Sequence, residues 1–127
     1  MKVFALTIIA TLLLSLAAFP QNTSTVQLRL GQQKFVSNGK LTVRFLSLVE
    51  DSRCPINARC IWAGNAKIRL SVAKGRASAR TIELNTGMEP QVVSIHGHDF
   101  KLEALAPHPG ERQRRKTATI AISKAKI

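Results

Sequence analysis

Two cysteines, three histidines and seven acidic residues are nearly all that this chain of 127 residues offers for covalent, metal or acid–base chemistry. Cys54 and Cys60 are separated by five intervening residues, with Pro55 directly after the first. Pairing them closes a small ring, which in the chain-entropy view contributes roughly 2–2.5 kcal/mol, less any strain. A zinc site would need about four ligands at short spacings. No second Cys or Cys/His pair stands nearby. A redox motif would need C-x-x-C. In an exported chain a Cys54–Cys60 disulfide is therefore expected, with no free thiol.

His96, His98 and Asp99 raise a metal reading, because residues two apart on a strand share a face. His108 would have to join them in space. Three polar residues around Gly97 are also ordinary turn composition, so His96 and His98 stay weak candidates, and no metal or other cofactor is assigned. Catalysis has less support. The chain lacks G-x-S-x-G and a free cysteine, and its one adjacent acidic pair, Glu50-Asp51, has side chains that diverge on a strand. Glycoside hydrolysis needs two facing carboxyls, which the scattered acids do not advertise. The expectation is a non-enzyme.

The elements that must position these residues begin with an export signal. Lys2 is followed by an apolar run from Val3 to Phe19 broken only by Thr7, Thr11 and Ser15, so residues 1–19 read as a cleaved signal peptide. An uncleaved anchor helix is the alternative, the run being at the lower length limit for a span. Residues 20–127 then form one soluble domain, secreted or periplasmic, with no transmembrane segment in the mature chain. A monomer is expected. Asn22-Thr23-Ser24 is a glycosylation sequon that has meaning only in a eukaryotic secretory pathway.

The domain reads as strands throughout. Val26, Leu28 and Leu30 alternate with polar residues, as do Leu41, Val43 and Phe45, then Ile68, Leu70 and Val72. Ile82 with Leu84, Val92 or Val93 with Ile95, Phe100 with Leu102, and Ala118, Ile120 and Ile122 continue the pattern. Asn38-Gly39 is a hairpin signal. At Leu46 the alternation slips by one residue, the mark of a β-bulge or a bend between sheets. Seven or eight short strands without a helical period predict an all-β antiparallel sandwich, Greek-key or immunoglobulin-like, with a small closed barrel as the alternative.

The segment Glu50 to Gly64, E-D-S-R-C-P-I-N-A-R-C-I-W-A-G, interrupts these strands. Asp51 and Ser52 have short acceptors suited to backbone amides in a tight turn, and Arg53 can pair with Glu50 or Asp51. Trp62 is expected to plug one end of the core with its indole N–H on a backbone carbonyl, a surface recognition role being the alternative. Gly64 marks a bulge or a close backbone approach. The run D-S-R-C-P…C-I-W-A-G resembles a family of small secreted bacterial β-domain proteins of unknown function, and the similarity extends from Leu30-Gly31-Gln32 to the last strand. The resemblance implies an exported bacterial β-domain and carries over no catalytic or ligand-binding residue.

Nineteen basic residues face seven acidic ones, a formal charge of +12, of which Lys2 leaves with the signal. Such a balance favours attraction to polyanions and says nothing of fold. Arg112, Arg114, Arg115 and Lys116 form the densest cluster. Lys67 and Arg69 share one strand face, which Arg44 and Lys101 would extend if their strands were neighbours. No aromatic ladder accompanies them, so specific nucleic-acid binding is not expected. Two functions remain: a non-catalytic structural or protein-binding module that presents its disulfide loop or a sheet face to an unknown partner, or a cationic binder of envelope or extracellular polyanions. A protease inhibitor presenting Arg59 at the loop exit is a variant of the first.

Overall fold

The computed structural model describes residues 23–112 and 114–125. Residues 1–19, read above as a signal peptide, and Asn22 of the sequon lie outside them. Eight strands and no helix are present among the described residues: β1 (Ser24–Arg29), β2 (Gln33–Val36), β3 (Leu41–Asp51), β4 (Ala66–Lys74), β5 (Arg80–Asn85), β6 (Val92–Ile95), β7 (His98–Ala106) and β8 (Thr117–Lys124). They form two antiparallel four-stranded sheets, β1-β8-β7-β6 and β2-β3-β4-β5, which do not close into a barrel.

The alternating residues supply the inner faces. Leu28, Phe100, Leu102, Leu105, Ala118, Ile120 and Ile122 from one sheet meet Leu41, Val43, Phe45, Ile68, Leu70, Val72, Ile82 and Leu84 from the other in one buried cluster. Each large side chain so buried is worth about 1.5–3 kcal/mol, enough for a core that does not rest on the disulfide alone.

The sandwich is the expected one, but its connectivity is simpler than an immunoglobulin order. The second sheet is a plain meander of β2 to β5, and the first is the meander β6-β7-β8 with β1 added to the free edge of β8. The chain crosses between sheets only twice, after β1 and after β5.

The slip at Leu46 is a bulge within β3, not a change of sheet: Phe45 faces Leu70 and Ser47 faces Arg69, leaving Leu46 unopposed. A second bulge follows at Val49, between the pairs Leu48–Ile68 and Glu50–Lys67. Both extra residues point out to solvent. Two bulges in one strand strengthen its twist and re-aim its end, where the cysteine segment begins.

Asn38 and Gly39 take positive φ values of 58° and 80° in the β2–β3 turn. At the β6–β7 turn His96 and Gly97 do the same at 51° and 76°. Both hairpins end at one pole of the sandwich, and the cysteine segment lies at the other, between β3 and β4.

Candidate functional site

Three anchors hold the segment between β3 and β4, and the first is ionic. Arg53 donates from Nε to Asp51 Oδ1 at 2.8 Å and from Nη2 to Asp51 Oδ2 at 2.9 Å, the planar fork that suits a carboxylate. The same guanidinium reaches across to the other sheet, to Leu105 O at 2.5 Å and Pro107 O at 3.1 Å. Lys116 adds a bond to Pro107 O at 2.7 Å and stands 3.6 Å from Asp51 Oδ2. The side chains of Arg53, Asp51 and Lys116 are only 9%, 11% and 18% exposed. Burial pushes the Asp51 carboxyl up, but the Arg53 hydrogen bonds and charge, with Lys116 behind them, win and hold it below its ordinary value.

The second anchor is a polar ladder. Ser52 Oγ accepts from Asn65 N at 2.9 Å and donates to Asn65 O at 3.0 Å. Asn65 is buried; its Nδ2 donates to Asn85 Oδ1 at 2.9 Å, and its Oδ1 accepts from Gly87 N at 2.9 Å. Buried Asn85 passes the chain of bonds on to Pro90 O at 3.0 Å. Such a network fixes geometry because a buried amide left unpaired costs about 1–3 kcal/mol.

The third anchor is close backbone packing. Gly64 sits at φ +70°, and a Cβ there would lie 2.6 Å from Ser52 O and 2.7 Å from Arg53 Cα. Gly87 lies over Gly64 in turn, its Cβ direction 2.6 Å from Gly64 O. The close approach expected of Gly64 is thus present, and it stacks three backbone segments without side chains between them.

Between these anchors Cys54 and Cys60 are joined, their Cα atoms 5.8 Å apart, within the usual range. Pro55 starts the tight turn of the ring, its carbonyl accepting from Ala58 N, and Ile56 N bonds Pro109 O in the β7–β8 loop at 3.1 Å.

Trp62 does not plug the core. Its indole N–H does reach a backbone carbonyl, Ser52 O at 3.1 Å, but the ring is 57% exposed. Its neighbour Ile61 is fully exposed at 101%, and Ile56 is exposed on the same loop. Met88, next to Gly87, adds a fourth exposed apolar side chain at this pole. The site is therefore a stapled loop with a rigid polar base and an apolar tip. Arg59 is exposed on it as well.

Other expected sites fare differently. Arg112, Arg114 and Arg115 are exposed, but Lys116 belongs to the Asp51–Arg53 anchor and leaves the basic cluster. Lys101 lies in the sheet opposite Arg44, Lys67 and Arg69, so it cannot extend their row, and Arg69 pairs with Glu83 at 2.9 Å. His96 and His98 do not share a strand face, because His96 is in the turn. His98 uses both ring nitrogens, Nδ1 on His96 O at 3.0 Å and Nε2 on Ser37 Oγ at 2.8 Å. Among the described residues no three His, Cys, Asp or Glu side chains gather as metal ligands.

Asn65, Asn85 and the Ser37–His98 pair were not legible as site residues. Asn65 follows the W-A-G motif and opens a strand, a weak hint of a polar joint. Nothing local relates Ser37 to His98, 61 positions apart.

Fold and site together define a two-sheet β-sandwich that presents one disulfide-stapled loop. No protein-family profile, curated protein or solved structure matches the chain. No helix among the described residues is long and apolar enough to cross a membrane.

Proposed function

We propose that this is an exported, non-catalytic module that binds a protein partner through the Cys54–Cys60 loop. The observation that carries the reading is the full exposure of Ile61 beside half-exposed Trp62 on a loop that is otherwise pinned by hydrogen bonds. A surface that keeps large apolar groups in water at a fixed position has a stability reason to lose them and a recognition reason to keep them. Rigidity adds to this, since little loop entropy is lost on binding. The disulfide is compatible with an oxidising compartment, and the signal-like start and the D-S-R-C-P…C-I-W-A-G resemblance support export.

The non-catalytic part rests on chemistry. Ser37 and His98 have the spacing of a nucleophile and its base, yet the third group is the neutral carbonyl of His96. A base of that kind must become an imidazolium, and the charges lining the same pocket are the cations Lys40 and Lys124. Both features oppose the charge that general-base catalysis would create.

The test is capture from an envelope or secreted fraction with the wild-type protein and with Ile61→Ser/Trp62→Ser. A partner retained by the wild type and lost from the double variant is expected; equal capture by both overturns the reading. A second reading, polyanion binding, is favoured by the exposure of Arg112, Arg114 and Arg115, with Arg115 beside Arg29. It requires that heparin retention fall more when these three are neutralised than when three scattered surface cations are.

A further inference from the structure

The pole opposite the disulfide loop carries a pocket of about 660 Å³. Serine, threonine and asparagine residues make up most of its lining, with Lys40 and Lys124 as the charged residues and Ile122 as the one aliphatic residue. No carboxylate lines it, and neither lysine has one within ion-pair reach among the described residues. The lining is therefore rich in donors and positive, without an internal counter-ion.

His98 fixes how one of those hydroxyls points. The His96 carbonyl can only accept, so Nδ1 of His98 carries the proton. In the neutral ring Nε2 is then the acceptor, and Ser37 donates to it at 2.8 Å. The lone pairs of Ser37 Oγ are left to accept from a ligand hydroxyl, so this hydroxyl serves the body of a ligand and the lysines serve its anion. The bond also ties the β2–β3 turn to the start of β7 in the other sheet, which holds the pocket walls in place.

We propose that this pocket binds a phosphate or sulfate monoester of a monosaccharide-sized, hydroxylated molecule. Two lysines without an ion-pair partner among the described residues match a tetrahedral oxyanion. A bare oxyanion would fill a small part of 660 Å³, and the rest of the lining mixes polar and apolar surface, as the hydroxyls and C–H faces of a sugar do. The site is independent of the partner-binding loop, from which it is separated by the length of the sheets.

The experiment is an amide-resolved NMR titration of the exported protein at fixed ionic strength with glucose 6-phosphate, glucose 6-sulfate and glucose. Saturable shifts at Ser37, His98, Ser123 and Lys124 are expected with at least one ester, and the stronger ester identifies the anion. Lys40→Gln/Lys124→Gln should weaken binding at least tenfold, and Ser37→Ala several-fold. Arg112→Gln/Arg115→Gln, on the basic loop, should change it less than twofold. Both lysines are exposed, so amide dispersion should confirm that their variant folds. Absence of saturation with both esters, an equal response to glucose, or unchanged affinity in the double-lysine variant overturns the proposal.

Discussion

Arg53 grips both carboxylate oxygens of Asp51 in its own loop and two carbonyls, of Leu105 and Pro107, at the far sheet. One side chain therefore ties the start of the cysteine segment to the end of β7 in the other sheet. Four of its five guanidinium N–H groups are used inside the protein, which marks it as a brace.

Replacing Arg53 by Ala leaves Asp51 partly buried with Lys116 as its one remaining cation and takes the side-chain donor from the Leu105 carbonyl, while Pro107 O keeps Lys116. A loss of about 2–4 kcal/mol is expected, toward the lower side of the range for breaking a buried pair. Arg53→Lys should recover only a minor part, because an ammonium cannot reproduce the fork. Urea unfolding midpoints check both; a loss under about 0.5 kcal/mol for Arg53→Ala would refute the brace.

The depressed Asp51 carboxyl sets a pH dependence. Its folded value lies below the unfolded one, about 3.9, so its contribution is complete above that value and is lost as pH falls through the folded value. Asp51→Asn should be less stable than the wild type at pH 7 and should lose less on acidification below about pH 4. Parallel stability profiles for the two proteins between pH 6 and pH 2 would contradict this.

Cys54→Ser/Cys60→Ser should cost roughly 2–2.5 kcal/mol and still fold, because the core strands supply the main stabilisation. Native protein should show no titratable thiol before reduction. Failure to fold would mean that the ring organises the anchors around it as well as shortening the unfolded chain.

Trp62 is the chain's one tryptophan, so its fluorescence reports the loop directly. Emission at the solvent-exposed end of the range and strong quenching by iodide are expected of a ring 57% exposed. Blue-shifted emission protected from quencher would place the ring in the core. Trp62→Phe removes the bond to Ser52 O and should cost about 0.5–1.5 kcal/mol.

Asn65→Ala breaks the ladder at its buried centre, leaving Asn85 Oδ1 and Gly87 N without partners. A loss of about 1–3 kcal/mol is expected. Hydrogen exchange should speed up in the β5–β6 loop as well as at residue 65; an effect confined to the mutated position would show that the ladder does not couple the two loops.

What is local could be read from the residues alone. Alternation at Leu41, Val43 and Phe45 or at Ile68, Leu70 and Val72 names the inward faces, because successive side chains on a strand must point to opposite sides. Asn38-Gly39, Gly97 and the short Cys54–Cys60 ring are likewise properties of a few consecutive residues. Tertiary structure decided the rest. Whether β1 joins β8, or Lys101 faces away from Arg44, depends on packing between residues far apart in the chain, and alternation is the same for every possible order of strands. Trp62 looked like core by its size alone, yet its indole bonds Ser52 O on the loop and the residue stays 57% exposed. Lys116 looked like surface charge by its basic neighbours, yet the Pro107 carbonyl and Asp51 draw it inward. In each case the side chain's chemistry was legible, and its surroundings came only with the sheets that surround it.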